Sequence, residues 1–92
     1  MRSIVIAGVL AAPLLSAMAA EPELRPGPGR EQVQANCGAC HTLAYIPMNS
    51  PFLNEAQWTA EVNKMVGVFH APVPREDIPA IIAYLTAQYG PR

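Results

Sequence analysis

Two thiols and an imidazole stand together in Cys37-Gly38-Ala39-Cys40-His41, and these are the chain's only cysteines. The spacing C-x-x-C-H is that of a covalent c-type haem attachment site. Each S–H adds across one vinyl group of the porphyrin, forming a thioether with no leaving group. The histidine beside the second thiol then reaches the iron. A thioredoxin-like pair would need a βαβ context, which the chain lacks, and a zinc site would need further ligands at matching spacing. An exported protein could instead close the two thiols into a disulfide, but His41 argues against that use.

With His41 as the proximal ligand, the other axial position decides between electron transfer and ligand chemistry. Met48, Met65 and His70 are the candidates. Met48 follows His41 by only seven residues, a reach of at most about 24 Å that leaves almost no slack for rounding a porphyrin. A flexible apolar residue at the haem edge is the plainer reading of it. Met65 has ample chain behind it and shares an apolar stripe with Trp58 and Val62. Such a methionine is ordinary core in the absence of a haem, and a candidate ligand in its presence. His70 lies in a proline-flanked stretch, where an exposed or backbone-bonded histidine is the plainer reading. A ligating histidine normally donates its second ring nitrogen to an oriented acceptor, and the carbonyl of Pro51 is the candidate.

These side chains need elements to place them. Arg30 to about Asn36 reads as a helix delivering the chain into the motif, with Val33 and Cys37 on one face. Residues 42–53, with Pro47 and Pro51, read as a loop around the haem edge. Asn54 and Gln57 form a capping box, flanked by Leu53 and Trp58 as a hydrophobic staple. The helix they open is expected to run to about Val66, with Gly67 closing it as C′. Its inner face is Trp58, Val62, Met65 and Phe69. A last helix begins near Glu76 to Pro79, where proline is tolerated in the first turn. Ile78, Ile81, Ile82, Leu85 and Tyr89 form its stripe, and Gly90-Pro91 ends it. Nothing reads as a strand. The expected fold class is all-α: a small monohaem domain of about three helices around one covalently attached haem.

The amino terminus reads as an export signal over residues 1–19: Met1-Arg2, an apolar run from Ile4 to Leu15, and Ala17-Met18-Ala19 as the cleavage site. The run is too short to span a bilayer, so no membrane anchor is expected, and the compartment is the periplasm, where c-type haem is attached. Residues 20–29, rich in proline and glycine, read as an extended leader with little structure of its own, and residues 30–92 as the haem domain. Six Lys and Arg stand against seven Asp and Glu, and loss of Arg2 with the signal makes the balance one unit more negative. With no basic stripe, nucleic acid is not an expected partner. A domain this small rarely buries enough apolar surface to be stable alone, so the apo-protein is expected to be weakly ordered.

The order C-x-x-C-H, proline-leucine loop, methionine and terminal amphipathic helix resembles class I cytochromes c. Ser50-Pro51-Phe52-Leu53 is similar to that family's G-P-x-L element, and Ile82-Ala83-Tyr84-Leu85 to its carboxy-terminal helix. The stretch from His41 to Met65 is shorter than in typical members. A closer resemblance, over Cys40-His41-Thr42-Leu43, Tyr45 to Leu53, Trp58 and Glu61 to Met65, is to the cytochrome subunits of bacterial sulfite:cytochrome c oxidoreductases. It implies a haem c ligated by His41 and Met65. It also implies electron donation from a molybdopterin-containing sulfite-oxidising subunit, and onward transfer to a soluble acceptor such as another cytochrome c. It implies a glycine where His70 stands.

No paired carboxylates or nucleophile with a base accompany the motif, so an electron-transfer protein is expected and not an enzyme. A haem enzyme or gas-binding sensor with an open sixth position is the alternative, and a haem-free thiol oxidoreductase the third reading. The exposed haem edge near Cys37, Ala39 and Met48 is the expected docking face. Few charges surround it, so an apolar, persistent interface is expected there.

Overall fold

The computed structural model describes Ser3, Ile4, Gly8 and residues 22–92. The signal reading over residues 1–19 lies outside them apart from those three positions. Among the described residues four helices follow in order: α1 (Arg30–Cys37), α2 (Tyr45–Met48), α3 (Glu55–Gly67) and α4 (Ile78–Tyr89), the last entered through a 3₁₀ turn at Arg75–Asp77. No strand occurs among the described residues, which makes the class all-α. None of the described helices is long and apolar enough to cross a membrane.

The expected loop 42–53 contains α2, a single turn in which Ile46 is buried. Proline is compatible with a turn this short, because the amide it lacks would have had no helical partner. α3 starts as the capping box requires: the Asn54 side chain accepts from the Gln57 amide at 3.0 Å, and the Gln57 side chain accepts from the Asn54 amide at 2.9 Å. Its far end differs from expectation. Gly67 is still helical, Val68 caps the helix, and the left-handed residue is His70, with φ 57°. The chain therefore reverses three residues later than the glycine suggested.

α4 is the central element, packed by α3 on one side and α1 on another. Its buried face holds Ile81, Leu85 and Tyr89 as the stripe requires, with Ile78 and Ile82 half-buried, and adds Tyr84. α1 crosses it at Gly29, whose φ is 94°. A Cβ there would stand 2.5 Å from the Ala80 carbonyl oxygen and 2.8 Å from the Tyr84 Cβ, so only glycine permits the approach. The Asn36 amide donates to the Asp77 carboxylate at 3.3 Å and ties the end of α1 to the start of α4.

The leader is extended, as its prolines dictate, but it is not structureless. Leu24 is 1% exposed and belongs to the core. The Arg25 amide donates to the Tyr89 hydroxyl at 2.9 Å, and the Tyr84 hydroxyl donates to the Arg25 carbonyl at 2.5 Å. The Arg25 guanidinium lies 4.9 Å from the centre of the Tyr89 ring and donates to the Gln88 carbonyl. Residues 22–29 are a strap bound along α4.

Candidate cofactor site

α1 ends at Cys37, so its last turn sets the first thiol against the core, half-buried, while Cys40 is exposed after the turn at 38–40. Cys37 and Cys40 form no disulfide. Burial pushes the Cys37 thiol above its ordinary value, the opposite of what a redox-active thiolate needs. The described residues contain no group of three His, Cys, Asp or Glu able to hold a metal ion.

His41 is exposed, and its Nδ1 lies 2.8 Å from the Thr42 carbonyl oxygen. With the proton on Nδ1 the ring donates to that carbonyl and keeps the Nε2 lone pair free. The Thr42 hydroxyl accepts from the Ala44 amide at 3.3 Å, which orders the turn that carries the carbonyl. Thr42 thus occupies the acceptor position expected for Pro51. Pro51 is exposed and stands outside the cavity described next. A carbonyl one residue away needs no long-range folding to meet the ring.

A cavity of about 430 Å³ lies between α1, α2, α3 and α4. Cys37, Cys40 and His41 border it from the motif, and α3 contributes Trp58, Val62 and Met65. Ile81 and Leu85 of α4 and Val73 close it from the remaining side. Phe69, largely exposed, also borders it and marks its mouth. The volume falls in the range of ligand pockets, ~300–1,000 Å³, with the apolar lining such pockets have.

The three candidates for a second donor separate here. Met65 is half-buried and lines the cavity with His41. Met48 is 74% exposed and outside the lining. His70 is exposed and also outside it, in the backbone region that glycine adopts most readily. Two thiols, an imidazole and a thioether on one apolar cavity form a donor set that suits a large flat metal macrocycle. The thiols can anchor its rim, and the imidazole and the thioether can approach its metal.

Tyr45 and Glu61 also line the cavity, and the sequence suggested no role there for Glu61. The Tyr45 hydroxyl donates to Glu61 at 3.1 Å, and Lys64 pairs with the other carboxylate oxygen at 3.0 Å. Burial first, then the Glu61 carboxylate, raises the Tyr45 hydroxyl pKa; the hydrogen bond to Glu61 likewise raises that of Lys64. The signal for Glu61 was present, since it precedes Met65 by four residues on one helix face. The chain matches no protein-family profile and no curated protein.

Proposed function

We propose that this chain is a periplasmic electron-transfer protein, a small c-type cytochrome carrying one haem c. The observation that carries the reading is the convergence of Cys37, Cys40, His41 and Met65 on a single apolar cavity. When bound, the haem supplies a one-electron iron couple. The chain's own residues do the rest. Cys37 and Cys40 would hold the porphyrin through thioethers, and the Thr42 carbonyl would hold the His41 ring in the tautomer that leaves Nε2 free. Met65 would offer its thioether to the iron, and pairing a thioether with a histidine raises the potential. The apolar side chains from α3 and α4 keep water from the metal.

The resemblance to sulfite:cytochrome c oxidoreductases supports a molybdopterin-containing sulfite-oxidising subunit as electron donor and a soluble cytochrome as acceptor. Met48, Phe52, Val68 and Phe69 are large apolar side chains left exposed, a composition suited to a persistent apolar interface and not to electrostatic steering.

Intact-mass measurement of the exported protein tests the cofactor: a covalent porphyrin with no free thiol supports the reading, and free thiols at both positions reject it. Replacing Met65→Ala is expected to abolish the thioether-to-iron charge-transfer band and open the sixth position to carbon monoxide. Survival of the band in that variant would exclude Met65. Copurification with a sulfite-oxidising molybdenum protein tests the partner.

A further inference from the structure

We propose that Tyr45 is a positioning residue that couples His41 to Met65 through Glu61, and so controls how firmly the thioether holds the sixth position. The inference rests on the haem reading above. Tyr45 opens α2, and its ring centre lies 5.8 Å from that of His41 with the planes inclined at 59°. Its hydroxyl donates to Glu61 at 3.1 Å, and the second oxygen of that carboxylate is held by Lys64 at 3.0 Å. Glu61 and Met65 are one helical turn apart on the same face of α3, and both border the cavity. One side chain therefore touches the imidazole with its ring and, with its hydroxyl, the helix that carries the thioether.

The two segments joined in this way differ in stiffness. α3 is a 13-residue helix with a closed capping box, whereas α2 is a 4-residue turn with no side-chain cap at its start and one bond from the Asn49 side chain to the Tyr45 carbonyl, at 2.7 Å. The hydrogen bond fixes the compliant turn beside His41 to the stiff helix beside Met65. Removing the hydroxyl leaves the ring packing intact but lets the two donors drift relative to each other. The thioether then competes less well with an external ligand. Even a solvent-exposed hydrogen bond to a carboxylate, worth about 1 kcal/mol, contributes enough for about a fivefold change in that competition.

The test titrates the exported, haem-loaded ferric protein with imidazole while following the thioether charge-transfer band. Tyr45→Phe and Glu61→Ala are each expected to bind imidazole about fivefold more tightly than wild type. Glu61→Gln keeps an acceptor oxygen and is expected to stay within about twofold of wild type, since loss of the exposed Lys64 pair matters little. The double variant Tyr45→Phe/Glu61→Ala is expected to shift no further than either single one. Wild-type imidazole affinity in Tyr45→Phe, or additive shifts in the double variant, overturns the coupling while leaving the haem reading intact. If Met65→Ala binds imidazole no more tightly than wild type, Met65 is not the ligand and the coupling falls with it.

Discussion

Three side chains are candidates for one role in the sequence, and of these Met65 alone lines the cavity with His41. Chain length already disfavoured Met48, which is exposed and away from the cavity. Met65 reached the cavity because it continues the stripe of Trp58 and Val62, a periodicity readable without any structure. His70 has a different significance. The family resemblance implied glycine there, and the backbone at 70 is left-handed, φ 57°. A side chain in that region carries a cost that glycine avoids. His70→Gly is therefore expected to stabilise the fold by up to about 1 kcal/mol, after glycine's extra unfolded-state freedom is subtracted. The haem spectrum should be unchanged, and thermal melts with visible spectra check both. A lost band in that variant would assign His70 a role at the metal that its position outside the cavity does not support. The Thr42 carbonyl could not be chosen over Pro51 from sequence, since every residue carries a carbonyl and only the local turn aims one at the ring.

Among the elements, α3 was legible because its start signals are local: Asn54, Gln57 and the staple residues lie within a few positions of one another. Its end was misjudged because Gly67 is free to be helical, and the reversal is set by where the following segment packs. α2 was hidden by Pro47, a breaker in longer helices and harmless in one turn. The strap over residues 22–29 was invisible for a related reason, since its partners on α4 lie about sixty positions away. The crossing of α1 on α4 is the least forgiving contact of this group. Gly29→Ala would force a methyl group against the Ala80 carbonyl in a left-handed backbone. It is expected to cost about 2 kcal/mol or more, lowering the melting temperature by roughly 8–16 °C in a domain this size. Gly38→Ala meets no atom closer than 3.7 Å and is the matched control.

For the molecule as a whole, the strap closes the core at the end where α1 meets α4, and two tyrosine hydroxyls hold it. Burial foremost, then the neighbouring Tyr89, pushes Tyr84 up to about 12. Tyr84 is 1% exposed and its hydroxyl donates to the Arg25 carbonyl, a bond that the ionised form cannot make. In the unfolded chain a tyrosine ionises near 10. The stabilisation is thus fully present below pH ~10 and is lost as pH rises toward ~12. Denaturant melts across that window should show the decline, and Tyr84→Phe should flatten much of it. An unchanged slope in that variant would place the alkaline sensitivity elsewhere.

The chain's order of residues alone determined the all-α class, the motif Cys37–His41, the start of α3 and the apolar stripes, because each depends on neighbours within a turn or two of helix. Tertiary structure decided which methionine shares a cavity with His41, that Leu24 belongs to the core, and that Tyr45 meets Glu61. Those contacts join residues far apart along the chain, and their partners are fixed only when α4 gathers the other helices around it.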